Sequence, residues 1–211
     1  MQSQKSREIR LKSRPSGMPT DLNFELATTE VPAPAPGEVL VRNVWMSVDP
    51  YMRGRMMERE SYVPSFQVGR ALEGHAIGQV VASSAAELRV GDYVSSMFGW
   101  REAYVSRPQG LTKVDPGLAP LQAFLGVLGL TGLTAYVGLL KIAGLKQGET
   151  VFVSAAAGAV GSIVCQIAKV KGAKRAMLLP VSAPFHCALM KPAAEAMAQA
   201  LAKIAVKAPV V

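Results

Sequence analysis

The sequence predicts a β domain followed by an α/β unit: a small, partly open barrel, then the opening of a β–α–β arrangement. Three features point there. Over residues 1–118, short alternating runs (REIRL, EVLVRNVWMSV, IGQVVAS, DYVSSMF) are separated by Pro, Gly, Asp and Ser clusters, the pattern of strands with one buried face. After Pro116 the alternation stops and residues 118–143 become apolar and glycine-rich. Residues 149–153 then form a short apolar run, followed by a glycine turn and a segment of helical period.

In chain order, VPAPAPGE (residues 31–38) is a stiff extended connector that leads into a strand. In LRVGDYV, Gly91 and Asp92 form a tight turn between strands. The spacing of many short strands suggests a small barrel. Residues 118–143 read as buried helices, with turns at Thr131-Gly132 and at Gly144. A strand is expected over 149–153. In the helix after it, Val160, Ile163, Val164, Ile167 and Ala168 fall on one face, and Gly172 is a natural C-terminal stop. Two domains follow from the change of pattern, with boundaries at 1–118, 119–173 and a distinct tail, 174–211.

Composition narrows the class. Half of the 211 residues are hydrophobic and 18% are charged, which describes a globular chain rather than a disordered one. The longest apolar stretch, 119–140, is interrupted by Pro120, Gln122 and four glycines, so no membrane span is expected. The basic N-terminus lacks an apolar core, and the only cysteines are Cys165 and Cys187; a reducing cytoplasm suits both facts. The net charge of +8 sits at the two ends. Lys5, Arg7, Arg10, Lys12 and Arg14 face only Glu8, and Lys174, Arg175, Lys191, Lys203 and Lys207 face only Glu195. Without aromatic interleaving or a nucleic-acid module, these read as solvated ends and not as a nucleic-acid surface.

The turn Ala156-Ala157-Gly158-Ala159-Val160-Gly161 is an A-x-G-x-x-G form of the dinucleotide fingerprint. Gly158 lets the backbone approach a pyrophosphate and Gly161 lets helix and strand close together. The phosphates then meet free N–H groups at the positive end of the helix. An acidic ribose reader would favour NAD, and none occurs over 177–185, which leans toward NADP. Lys174 and Arg175 read as exposed charges at a strand start. His75 in EGHAIG has no second ligand beside it and Val48-Asp49-Pro50 lacks a ligand cysteine, so no metal site is predicted.

MSVDPYMRGRM (46–56), GLTGLTAYVGLL (129–140) and VFVSAAAGAVGSIVCQIAK (151–169) together resemble the zinc-independent medium-chain dehydrogenase/reductase superfamily. Within it they resemble the leukotriene B4 12-hydroxydehydrogenase / prostaglandin reductase / alkenal reductase group. The resemblance covers residues 6–173 and implies a GroES-like, partly open barrel followed by a Rossmann-type β–α–β unit, here truncated. It implies NADP(H) as cofactor and reduction of the C=C of α,β-unsaturated carbonyls, so the partner is a small enal or enone. By the same resemblance Tyr51 lies near nicotinamide and substrate, Thr134 contacts the nicotinamide side, and Ala156, Gly158, Ala159, Val160 and Gly161 hold the pyrophosphate.

From residue 174 the chain departs from that pattern. KRAMLLPVSAPFHCALMKPAAEAMAQALAKI resembles the malonyl-CoA:acyl carrier protein transacylases, over 174–204. That resemblance makes His186 the base for a serine nucleophile. The serine elbow has no counterpart here, because Gly74-His75 is followed by Ala76. Residues 176–181 suit a second parallel strand, and Met197, Leu201 and Ile204 form a helical stripe. The uncovered apolar faces of so thin a sheet imply a homo-oligomer or marginal stability. Two functional readings result. One is an NADPH-dependent C=C reductase, impaired in this form; the other is an inactive chimera of a reductase front half and a transacylase fragment.

Overall fold

A computed structural model describes residues 3–61 and 63–173. The chain divides into two units at 130/131. In the first unit, β1 (Gln4–Leu11) and β2 (Phe24–Val31) form an antiparallel ribbon, with Gln4 opposite Val31 and Leu11 opposite Phe24. Next come β3 (Val39–Met46), the one-turn helix α1 (Tyr51–Arg55), β4 (Ala76–Ser83), β5 (Tyr93–Ser96), β6 (Ala103–Ser106) and β7 (Thr112–Val114). The last five strands form one antiparallel sheet in the order β6-β3-β4-β5-β7. The sheet is open, with β6 and β7 at its edges, and the ribbon is tied to it by bridges Glu8–Arg101 and Arg10–Ala71.

Alternation explains the packing. Val39 and Val41 enter a core with Val80, Leu88, Val94 and Tyr104. Leu40 points the other way, toward Val31, Ala82 and Ala103. Over Val39–Val41, β3 therefore buries both faces, while Val44, Trp45 and Met46 in its second half are exposed. A third cluster, Leu11, Met52, Met56, Phe66 and Leu72, holds α1 against the ribbon. Ser6 is buried but satisfied twice: its hydroxyl donates to the Ala103 carbonyl at 3.2 Å and accepts the Ala103 N–H at 3.0 Å.

At the register irregularity between Asn43 and Trp45, β4 presents Gly78. A Cβ there would collide with Val41 and come within 2.9 Å of the Arg42 carbonyl oxygen. Overpacking against backbone cannot relax by a rotamer change, so Gly78→Ala is expected to cost about 2–3 kcal/mol. Urea unfolding checks this: the midpoint should fall with the slope unchanged.

The Gly91-Asp92 turn forms as expected, with Gly91 at φ +96°. The Asp92 carboxylate accepts the Arg89 backbone N–H at 2.9 Å and pairs with Lys113 at 2.9 Å. These bonds, that from Arg89 first, hold its pKa below 3.8; Glu102 is held below 4.5, mainly by the Arg7 side chain at 2.5–2.8 Å. Both folded values are depressed, so the stability they contribute is present above the unfolded values and is lost as pH falls through the folded ones. A melting temperature level near neutrality and declining below pH 4.5 is expected. Asp92→Asn should flatten the lower part of that decline.

In the second unit and its approach the expectations need revision. Leu121–Leu125 is a 3-10 turn, and α2 (Leu130–Tyr136) runs through Thr131-Gly132 without a break. It passes into a π-helical turn, Val137–Ile142, and the chain reverses at Gly144, φ +63°. Gly132 is buried within α2 and is not a turn residue. Over residues 149–153 Thr150 is a β-bridge residue, and no longer strand is formed among the described residues. A strand needs a neighbour for its N–H and C=O groups, and the segment expected beside it, 176–181, lies outside the described residues, as do His186 and the whole tail. Phe152 is 87% exposed.

α3 (Ala159–Val170) follows, as the helical period predicts, and Ala168 of the expected stripe is buried. Gly161 and Cys165, beside that stripe, are buried with it, and Val160, Ile163, Val164 and Ile167 are partly buried. Small residues mark the side where the backbone packs closest. The stop at Gly172 is complete: at φ +75°, its N–H reaches the Lys169 carbonyl at 3.1 Å and the Ala173 N–H reaches Ala168 at 3.0 Å. No helix among the described residues is long and apolar enough to cross a membrane.

Candidate functional site

Within the second unit the turn before α3 is shaped by two backbone demands. Ala155 adopts φ +51°, and its carbonyl accepts the Gly158 N–H at 2.8 Å. Gly158, at φ −76° and ψ 170°, is the N-cap of α3 and places no side chain over the helix end. Gly161 sits above the turn: a Cβ there would collide with the Ala155 carbonyl oxygen and stand 3.0 Å from the Ala156 Cα. Ala156 is buried beneath it.

The result is an uncapped helix start. Ser162 N–H bonds to the Gly158 carbonyl at 2.9 Å, so the amides of Ala159, Val160 and Gly161 come before the intrahelical ladder begins. No acidic residue lies in the first turn. Such a helix end favours an anion such as a pyrophosphate, and the residues present fit one. The fingerprint residues Ala156 to Gly161 are thus brought together, and Thr134 belongs to the same unit, on α2.

Tyr51 lies in the first unit, at the start of α1 behind Pro50. Its hydroxyl is buried and has no hydrogen-bond partner among the described residues. Burial, and secondarily the charge of Asp49, pushes the phenol pKa above 10.0. The group therefore stays protonated at neutral pH and remains a donor in search of an acceptor.

Three further polar atoms in this unit are buried and unpaired: Asp49 Oδ2, Asn43 Oδ1 and Trp100 Nε1. Asn43 donates through Nδ2 to the carbonyls of Phe98 and Arg101, each at 2.8 Å, and so clamps the stretch holding Trp100. Trp100 itself has φ +60°, a costly conformation for a bulky residue, and packs with Tyr51 against the Met52–Leu72 cluster. Sequence reasoning reached Tyr51 only through resemblance and missed Asn43 and Trp100. A positive φ at a tryptophan leaves no mark in residue type. His75 contributes its carbonyl to the Ser47 N–H at 2.8 Å. Among the described residues no group of three or more His, Cys, Asp or Glu could hold a metal.

Comparison with known proteins identifies the family of the first unit. Residues 7–114 match the family described as the N-terminal domain of oxidoreductase. The NADPH-dependent curcumin reductase of Escherichia coli is 42% identical over 173 residues, covering 82% of this chain and 50% of that protein. The NADP(+)-dependent 2-alkenal reductase of Nicotiana tabacum is 39% identical over 172 residues, covering 79% and 50%. Among solved structures, CurA of Vibrio vulnificus in complex with NADPH superposes with a TM-score of 0.73 at 46% identity, covering 79% of this chain and 50% of that one. The chain spans about half the length of the relatives it matches.

Proposed function

Because the chain belongs to the family of N-terminal domains of oxidoreductases, we propose that it is the front half of an NADPH-dependent reductase of α,β-unsaturated carbonyls. In this reading the first unit is a GroES-like barrel and the second the start of a Rossmann-type domain, on the zinc-independent medium-chain plan. The observation that carries it is the glycine turn. Gly161 has no room for a Cβ and Gly158 leaves the helix end open, as pyrophosphate binding requires. Relatives about 40% identical through the same residues are NADPH-dependent by name.

NADPH, when bound, supplies the hydride. The amides of Ala159, Val160 and Gly161 would hold its pyrophosphate, and Thr134 would stand on the nicotinamide side. Tyr51 would donate its phenolic proton in a hydrogen bond to the substrate carbonyl oxygen. As negative charge builds on that oxygen during reduction of the C=C, the bond strengthens, which is how such a donor lowers a barrier. A phenol with a raised pKa keeps its proton and acts by hydrogen bonding alone.

The transacylase resemblance of residues 174–204 supports the second reading, a chimera with little turnover. NADPH fluorescence enhancement on titration, followed by loss of nicotinamide absorbance with a short enal, separates the two. Saturable NADPH binding with turnover far below that of an intact reductase is the expected result. Absence of NADPH binding sinks the proposal, and rapid turnover sinks the claim of impairment.

A further inference from the structure

One small pocket in the first unit is not explained by hydride transfer. It is a partly open pocket of about 140 Å³ beside the start of α1, and Tyr51, Gly54, Arg59, Ser61 and Ser65 border it. Its two arginines are unequal. Arg55 is committed: it pairs with Glu73 at 2.7 Å, donates to the Pro64 carbonyl at 2.9 Å and lies 4.2 Å over the Phe66 ring. Arg59 has no carboxylate partner among the described residues. Neighbouring Glu58 turns instead to Arg14, at 3.4 Å.

The Arg59 guanidinium is seated against the one residue of α1 without a side chain. A Cβ built on Gly54 would stand 2.5 Å from Arg59 Nη2 and 3.4 Å from its Cζ. The pocket thus gathers one uncommitted guanidinium, two serine hydroxyls and an unpaired phenol, with no carboxylate among its lining residues. The guanidinium can only donate, and the hydroxyls can turn their protons toward an acceptor, so the one formal charge in reach is positive and a small anion is favoured. At about 30 Å³ for each water-sized group, the space admits roughly four or five heavy atoms.

We propose that this pocket binds a carboxylate lying within a few atoms of the reacting carbonyl, so that the preferred substrates are α,β-unsaturated keto acids such as 4-oxo-2-alkenoates. Arg59, Ser61 and Ser65 take the acid, and Tyr51, the shared wall, keeps its hydroxyl for the ketone oxygen. The assignment rests on the reductase reading for its purpose, but the binding itself needs only the first unit.

The test therefore omits NADPH. The full chain is titrated by NMR with 4-oxopentanoate, a saturated keto acid that cannot be reduced, and with its methyl ester. The acid should bind at least fivefold more tightly than the ester at low ionic strength, with the advantage shrinking as salt is added. Arg59→Gln should remove that advantage and leave ester affinity unchanged, while Arg59→Lys should retain part of it. Gly54→Ala favours the helix and displaces the guanidinium, so it should weaken the acid selectively with the fold intact. Equal binding of acid and ester by the unaltered chain, no binding of the acid, or equal losses for both ligands in Arg59→Gln would each overturn the assignment. Failure of NADPH binding or turnover leaves the acid-to-ester ratio untouched, so the two proposals fail separately.

Discussion

Gly161→Ala is expected to abolish measurable NADPH binding and to destabilise the second unit by about 3 kcal/mol. The added methyl has nowhere to go: the Ala155 carbonyl oxygen and the Ala156 Cα already occupy its space. Either α3 lifts off the turn or Ala155 gives up its φ of +51°, and both outcomes rotate the amides of Ala159, Val160 and Gly161. Helix propensity works the other way, since alanine is favoured over glycine by about 1 kcal/mol inside a helix. A net loss would therefore show that steric exclusion outweighs propensity at this position. Circular dichroism melts and NADPH fluorescence on the same samples check both parts. Gly158→Ala is the control: its φ is ordinary and a Cβ would meet only the Ala155 oxygen, at 3.1 Å, so a milder effect is expected. Undiminished NADPH affinity in Gly161→Ala would show that this helix end does not hold the cofactor.

Tyr51→Phe should lower kcat/KM for an enone by about two to three orders of magnitude, the usual cost of removing a donor from a developing oxyanion. NADPH affinity should be unchanged, because the fingerprint lies in the other unit. Stability should hold or rise, since the substitution deletes a buried hydroxyl with no partner, whose desolvation costs about 1–3 kcal/mol. A second readout needs no turnover: the alkaline absorbance step of the buried phenol, displaced above pH 10 by burial, should vanish in the variant. Turnover within threefold of the unaltered chain would remove Tyr51 from the reaction.

The residues that were readable in sequence are those whose environment follows a period. Val80 and Val94 are buried between partly exposed neighbours, as alternation requires, whereas Val39, Leu40 and Val41 form an unbroken apolar run and are all buried. The glycine turn was readable because backbone approach demands a specific residue type. β2 was harder to see: FELATTEV pairs only with β1 and keeps just Val31 buried, so it carries little hydrophobic signal. In α2, Gly132 imitates a turn residue while lying buried within the helix. Arg59 escaped notice because MMERES reads as a solvated surface; only the bare Gly54 beneath it gives the guanidinium a seat.

The contacts of Ser6 and Arg7 with Ala103 and Glu102 set a constraint on biosynthesis. These partners lie 95–97 residues apart, so β1 has part of its closing interactions near the far end of the same unit. At about 5–20 residues per second, Ser6 and Arg7 wait on the order of five to twenty seconds before those partners are synthesised. Leu11 and Ile9 are served sooner, by Met52, Met56, Phe66 and Leu72, and until then they sit on a two-stranded hairpin that is marginal alone in water. Synthesis therefore covers the two faces of β1 at different times, the apolar contacts first and the buried Ser6 hydroxyl last.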